Sequence, residues 1–211
     1  MVRKSNRRSS AAGAGAGLDR RGRRALVMRQ TILRAAAGVF RRRGFAATGM
    51  REIADAADLS PGNLYYYFKS KHELLYFCQD HSLDRMLATC RAVQAERLGA
   101  ADRLAAVVRA HVACMLDELD GAAAHTEVES LPVPLRVRIV AKRDRYEAAV
   151  RRIVAGGIRS RAFVPCDPKL VTRALLGAVN WTARWYRPEG EQPPAAVADA
   201  FANYLVRGLR A

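Results

Sequence analysis

Residues 48–75 read TGMREIADAADLSPGNLYYYFKSKHELL, and this stretch decides the fold. Thr48 fits an N-cap ahead of a short helix whose Ile53, Ala54 and Ala57 form one apolar face. Small alanines at 54, 56 and 57 let a second helix approach closely. Asp58-Leu59 fits a tight turn. Ser60 then caps a new helix with Pro61 at its first position, where a missing N–H costs nothing. Leu64 and Phe68, four apart, would pin that helix to a core. Ser70-Lys71-His72-Glu73 is a capping box that opens the next helix almost without a loop. Two short helices joined by a tight turn, the second held through two side chains, make the helix-turn-helix plan.

The same geometry says which side chains are free to meet a partner. Each helical residue advances about 100 degrees. Gly62 and Tyr66 therefore point away from Leu64, with Asn63 and Tyr65 beside them. Gly62 would let the backbone come near base edges, Asn63 can hydrogen-bond one, and tyrosine hydroxyls can reach phosphates. Lys71, in the first turn of the following helix, and Arg51, early in the scaffold helix, are placed for phosphate or base contacts. The plainer alternative is that Tyr65-Tyr66-Tyr67 is a packed aromatic cluster. Three consecutive helical residues cannot all face one core, so at least one tyrosine points outward.

Composition agrees with a polyanionic partner. Thirty-six Lys plus Arg against twenty Asp plus Glu leave a net charge of +16 over 211 residues, an excess that favours nucleic acid, and less readily an anionic membrane surface. The longest charge-free run, Ala174 to Ala183, is ten residues, about half of the ~20 needed to span a bilayer. The basic N-terminus lacks an apolar stretch of the signal-peptide kind, so a cytoplasmic protein without a membrane partner is expected. Cys78, Cys90, Cys114 and Cys166 have neither metal-knuckle spacing nor the density of a disulfide scaffold, and read as small apolar residues in a reducing compartment.

The chain divides by composition. Residues 1–24 combine basic residues with AAGAGAG and almost no bulky side chain, so a disordered basic arm is expected, either a solvated tail or a strap along DNA. From residue 25 the pattern is helical: Met28, Ile32, Ala35, Ala36, Val39 and Phe40 recur at helical spacing, and Gly44 closes the helix. No period-2 run of β-branched or aromatic residues occurs, so the expected class is all-α. Residues 25–75 would form a three-helix DNA-binding domain and residues 76–211 a helical-bundle domain. Further breaks are expected at Gly99-Ala100, Asp120-Gly121, Leu131 to Pro134, Gly156-Gly157, Pro165 to Pro168 and Pro188 to Pro194.

The segment from Met28 to Leu75, and most specifically Leu64-Tyr65-Tyr66-Tyr67-Phe68-Lys69-Ser70-Lys71, resembles the DNA-binding signature of TetR-family transcriptional regulators. The resemblance implies an all-helical homodimer that binds a palindromic operator, usually as a repressor, and releases it when a small ligand enters the C-terminal domain. It also implies DNA contacts by Arg51, Gly62, Asn63, Tyr65 and Tyr67, and a phosphate contact by Lys71. Members often carry histidine where this chain has Tyr67.

In the C-terminal half, Leu135, Ile139, Tyr146, Val150 and Ile153 form an inward line that also holds Arg143. An inward arginine needs an anionic partner: Glu127, Glu129 or Glu147 in the plain reading, a ligand carboxylate or phosphate in the sharper one. Asn180 to Tyr186 carries both tryptophans, Trp181 and Trp185, on one helical face, with Asn180 and Arg184 a parallel polar pair. These could clamp a planar ring or a phosphate, or pack a core or a dimer interface. His111 falls on an apolar stripe with Leu104, Val108, Val112 and Met115, as a core or pocket residue would. His125 and Glu129 share a helical face, which is too little for a metal site, and neither metal nor cofactor is expected.

Arg143-Asp144-Arg145-Tyr146-Glu147 together with Asn180 to Tyr186 resembles a subset of actinobacterial TetR-family repressors of steroid and fatty-acid degradation, which implies an acyl-CoA thioester as effector. Small residues on the last two helices (Ala174, Gly177 and Ala178, then Ala198 and Ala202) suggest a four-helix dimer interface. No GxSxG, P-loop, HExxH or strand-linked GxGxxG occurs, so an enzyme is not expected. The competing reading is a basic helical protein that binds nucleic acid or membrane surface nonspecifically, without a ligand switch.

Overall fold

The computed structural model describes residues 20–116 and 127–211, and the expectations for residues 1–19, the Asp120-Gly121 break and His125 lie outside them. Among the described residues the chain is all-α. The helices are α1 (Arg20–Arg43), α2 (Met50–Ala56), α3 (Pro61–Tyr67), α4 (Lys71–Ala95), α5 (Ala100–Leu116), α6 (Val133–Arg159), α7 (Pro168–Trp185) and α8 (Pro194–Arg207), with a 3-10 turn at Val128–Ser130 before α6. Arg20 to Arg24 belong to the first turns of α1, so the arm expected over 1–24 gives way to helix at Arg20.

Local chemistry sets the ends of the first four helices. Gly44 adopts φ +76°, the left-handed conformation that ends α1 at little cost for a residue without Cβ. Thr48 is not the cap of α2: it is buried, its hydroxyl donates to the Gly44 carbonyl at 2.7 Å, and Gly49 stands at the N-cap. Glu52 accepts from the Gly49 N–H at 2.9 Å, and Arg43 pairs with Glu52, tying α1 to α2. Asp58 turns the chain at φ 55°. Ser60 accepts from the Asn63 N–H at 3.3 Å, with Pro61 opening α3, and Ser70 accepts from the Glu73 N–H at 3.2 Å.

One apolar cluster runs from Ile32, Phe40, Ile53, Leu64 and Phe68 through Leu74 and Leu75 to Ile139, Tyr146 and Phe163. α4 is its spine, so the boundary expected at 75/76 falls inside a continuous helix. A second cluster joins α5 (Val108, Val112, Met115, Leu116) to Val179 of α7 and to Val197, Ala198 and Ala202 of α8. Ala198 and Ala202 thus seat α8 against α5 within the protomer and do not face outward as expected.

Gly156-Gly157 is not a break. α6 runs through both to Arg159, and a Cβ on Gly157 would clash with the Phe163 ring. The glycine lets that ring, fully buried, close over the end of α6. Val164 then donates to the Leu209 carbonyl at 2.9 Å, fastening the loop after α6 to the end of the chain.

Candidate functional site

α3 is a short helix held by little. Leu64 is its buried residue, and Phe68 immediately beyond it is also buried; together they account for about 3–6 kcal/mol of apolar burial. Apart from Tyr67, which packs partly against the core, the rest of α3 faces out. Gly62, Asn63 and Tyr65 are exposed, Tyr66 is 75% exposed, and Tyr67 is half-buried and meets Tyr66 edge-on with ring centroids 5.1 Å apart. A Cβ on Gly62 would meet nothing within 4 Å, so the fold itself does not require glycine there. Arg51, on α2, is exposed as well.

Lys71 has a different placement from the one expected of it. Its ammonium donates to the carbonyls of Phe45, Ala46 and Thr48 at 3.0, 3.1 and 3.1 Å and lies 4.7 Å from the centre of the Phe45 ring. All three N–H donors of the side chain are directed at the turn between α1 and α2. Lys71 therefore locks α4 onto that turn, and a phosphate contact by the same ammonium would have to displace one of these carbonyls.

In the C-terminal half a cavity of about 240 Å³ opens between α4, α5, α6 and α7. Leu83, Met86, Met115 and Leu176 give it an apolar floor. His111, Arg143, Tyr146 and Asn180 supply polar groups, with Asp144 and Glu147 also on its wall. The His111 Nδ1 and the Tyr146 hydroxyl share a 3.2 Å hydrogen bond, their rings edge to face at 5.3 Å. Burial pushes the His111 imidazole down to about 4, opposed by its hydrogen bond to Asn180, so it is neutral at pH 7. Burial likewise raises the Tyr146 phenol well above its ordinary value, so it stays protonated.

Arg143 is half-buried, and its guanidinium donates to the Gln79 side-chain oxygen at 3.4 Å. Burial lowers its pKa, opposed by the charge of Glu129, which itself pairs with Arg136 at 2.8 Å. The cavity thus brings together His111, Arg143, Tyr146 and Asn180 from among the expected ligand residues. It does not include Trp181, Arg184 or Trp185. The inward line of α7 is Leu175, Val179 and Thr182, which turns those three residues to the outside. Trp181 is 64% exposed, and Trp185 stacks on Phe201 of α8 at 6.1 Å.

Two buried polar residues where α4 meets α6 escaped the sequence reading. Gln79 is fully buried, one helical turn before Leu83 on α4. Lys142, next to Arg143, is buried and donates to Asp80 Oδ1 at 2.5 Å, the Asp80 carbonyl at 2.9 Å and Asp84 Oδ1 at 2.8 Å, clamping α6 to α4. Spacing carried the signal for both. Gln79 lies midway between Leu75 and Leu83, and Lys142 falls three after Ile139 and four before Tyr146. Among the described residues no group of His, Cys, Asp and Glu is arranged to hold a metal, and no helix is long and apolar enough to cross a membrane.

Comparison with known proteins agrees with this architecture. Residues 32–76 match the family model of bacterial regulatory proteins of the tetR family, and residues 97–209 match that of the Tetracyclin repressor-like C-terminal domain. The chain is 28% identical over 190 residues to the HTH-type transcriptional repressor KstR2 of Rhodococcus jostii (strain RHA1), covering 86% of this chain and 90% of the relative. It is similar to the crystal structure of the TetR family transcriptional regulator PfmR from Thermus thermophilus, with a TM-score of 0.76 and 31% identity over 85% of this chain and 99% of that one. The structure of the ketosteroid transcriptional regulator KstR2 of Mycobacterium tuberculosis superimposes with a TM-score of 0.77 at 25% identity, over 92% of this chain and 97% of that one. With both halves matched, and in a fold that presents a thinly anchored helix at one end and a cavity at the other, the chain belongs to the TetR family of bacterial regulatory proteins.

Proposed function

We propose that this chain is a cytoplasmic, dimeric repressor that binds a palindromic operator through α3 and releases it when a small effector enters the cavity. The observation that carries the reading is the exposed face of α3. Gly62, Asn63, Tyr65 and Tyr66 are left uncovered by a helix that the core holds through Leu64 and Phe68, and Gly62 sits where the fold has no use for a glycine. Bases are read by Asn63 and Tyr65, with Arg51, Tyr66 and Tyr67 positioning the helix on the phosphates. Lys71 acts indirectly, by holding the turn that carries α2.

Dimerisation uses the outer face of α7 and the exposed side of α8. Leu170, Ala174, Gly177 and Trp181 form an outward apolar line along α7, and Tyr204 of α8 is 86% exposed. The effector is an acyl-CoA thioester of lipid or steroid catabolism. Its acyl part enters the cavity past His111, Arg143, Tyr146 and Asn180, while the polar CoA portion stays outside. Support for this comes from the polar wall on an apolar floor, and from relatives named as a transcriptional repressor and a ketosteroid regulator.

A nuclease footprint on the DNA upstream of the chain's own gene tests the reading. The expected result is a bounded, two-fold-symmetric protected region whose half-sites lie about one helical turn apart, ~34–36 Å, or a multiple of that. Even protection of any fragment, without boundaries, would mean nonspecific binding.

A further inference from the structure

The dimensions and polarity of the cavity limit the size and orientation of its ligand, an inference that rests on the effector-released reading above and goes beyond it. A cavity of 150 Å³ holds benzene, so the ~240 Å³ here accommodates a group of about ten heavy atoms. Within the cavity itself that is a short acyl chain with its carbonyl, and a steroid nucleus or a long fatty chain would have to extend beyond it into solvent. The floor of Leu83, Met86, Met115 and Leu176 is apolar, as such a chain requires.

The polar end is unbalanced in an informative way. Gln79 is fully buried, and its side-chain Nε2 has no hydrogen-bond partner among the described residues, although its Oε1 accepts from Arg143. A buried amide donor left unmade is costly, of the order of 1–3 kcal/mol, and such groups call for an explanation. Gln79 lies one turn from Leu83 and against Arg143, both of which line the cavity. A ligand oxygen entering there would satisfy the orphaned N–H.

We infer that the cavity selects a short acyl group of about ten heavy atoms or fewer, whose carbonyl oxygen accepts a hydrogen bond from Gln79 beside the Arg143 guanidinium. Gln79 is thus a specificity-determining residue, and a free carboxylate or a thioester could each present the required oxygen.

Calorimetric titration of the DNA-free protein, paired with release of bound operator, tests this. The probes are butyryl-, hexanoyl-, octanoyl- and palmitoyl-CoA, a steroid-ring acyl-CoA, and octanoate. Hexanoyl- or octanoyl-CoA, or octanoate, should bind at least ~10-fold more tightly than the palmitoyl and steroid-ring thioesters; which of the two head groups binds identifies the source. Gln79→Leu should weaken the best short ligand by about 3- to 10-fold, the worth of one neutral hydrogen bond, with little change in melting temperature, since removal of an unmet donor offsets loss of the long Arg143 contact. Gln79→Glu keeps the oxygen facing Arg143 but replaces the donor with an acceptor, and should weaken binding at least as much. Preference for palmitoyl- or steroid-ring CoA, or indifference to both substitutions, would overturn the inference while leaving a ligand-released repressor. Specific operator binding that no acyl compound disturbs would overturn the inference and the effector reading together.

Discussion

Gly62→Ala separates what α3 does for the fold from what it does for DNA. The residue is the second of α3, its backbone is not in the left-handed region, and an added methyl would meet nothing within 4 Å. Replacing glycine by alanine at such a helical position stabilises by about 0.5–1 kcal/mol, because alanine has less chain entropy to lose. For a chain of this length that is a rise in Tm of roughly 1–4 °C. On the operator the sign reverses. The same methyl would project where the helix meets base edges, and intrusion into a close-packed contact costs ~1–3 kcal/mol, or about 5- to 150-fold in Kd. Thermal unfolding by circular dichroism and fluorescence anisotropy with a labelled operator, on the same preparations, measure the two effects. A variant that melts higher and binds weaker supports the account. A variant that binds the operator as well as the parent chain would refute the claim that this face lies against DNA.

Other substitutions divide along the same lines. Tyr65→Ala removes a half-exposed side chain and should leave stability within about 0.5 kcal/mol while abolishing specific retention; a fall in Tm would make it structural. Lys71→Met should instead lower stability by about 1–3 kcal/mol, since the carbonyls of Phe45, Ala46 and Thr48 lose their shared donor, and DNA binding should fall with it. Unchanged melting would show that the three contacts contribute little. The imidazole of His111 sits at about 4 in the fold against an ordinary 6.5, so the unfolded chain takes up the proton first. Its contribution is complete above pH ~6.5 and is lost as pH falls towards 4, by roughly 3 kcal/mol in all. Urea unfolding across that range should lose this slope in His111→Gln. Gly157→Ala forces a methyl into the Phe163 ring and should cost ~1–3 kcal/mol, partly recovered with Phe163→Leu.

What was legible in the sequence was whatever local chemistry decides. Ser60, Pro61, Ser70 and Gly44 stand where caps and stops are expected, because each acts on backbone groups within a few residues. Thr48 failed because its hydroxyl had a nearer acceptor, the Gly44 carbonyl, and Glu52 served the start of α2 instead. Gly156-Gly157 failed because glycine carries two meanings. It breaks helices by propensity, yet here it serves a ring that arrives from the following loop, and no window of sequence shows that ring coming.

The candidate site followed the same rule. The inward line of α6 placed Arg143 and Tyr146 at the cavity correctly, since periodicity fixes a face. It also contained Lys142, whose partners Asp80 and Asp84 lie on another helix and are not visible in the spacing of α6. For α7 the spacing put Trp181 and Trp185 close together on the helix, but it could not say which side the core would take. Leu175, Val179 and Thr182 took it, leaving the tryptophans on the surface. Ala198 and Ala202 did allow close helix packing, but against α5 and not a partner subunit. Small residues announce that helices approach closely and leave the neighbour unnamed.

The most direct test of the account is a gel shift on the DNA upstream of the chain's own gene, with and without a panel of acyl-CoA thioesters. The account predicts retention that survives excess unrelated DNA and is lost when one thioester is added. Retention of any DNA alike, competed away by heparin and indifferent to every thioester, would contradict it and leave a nonspecific basic protein in its place.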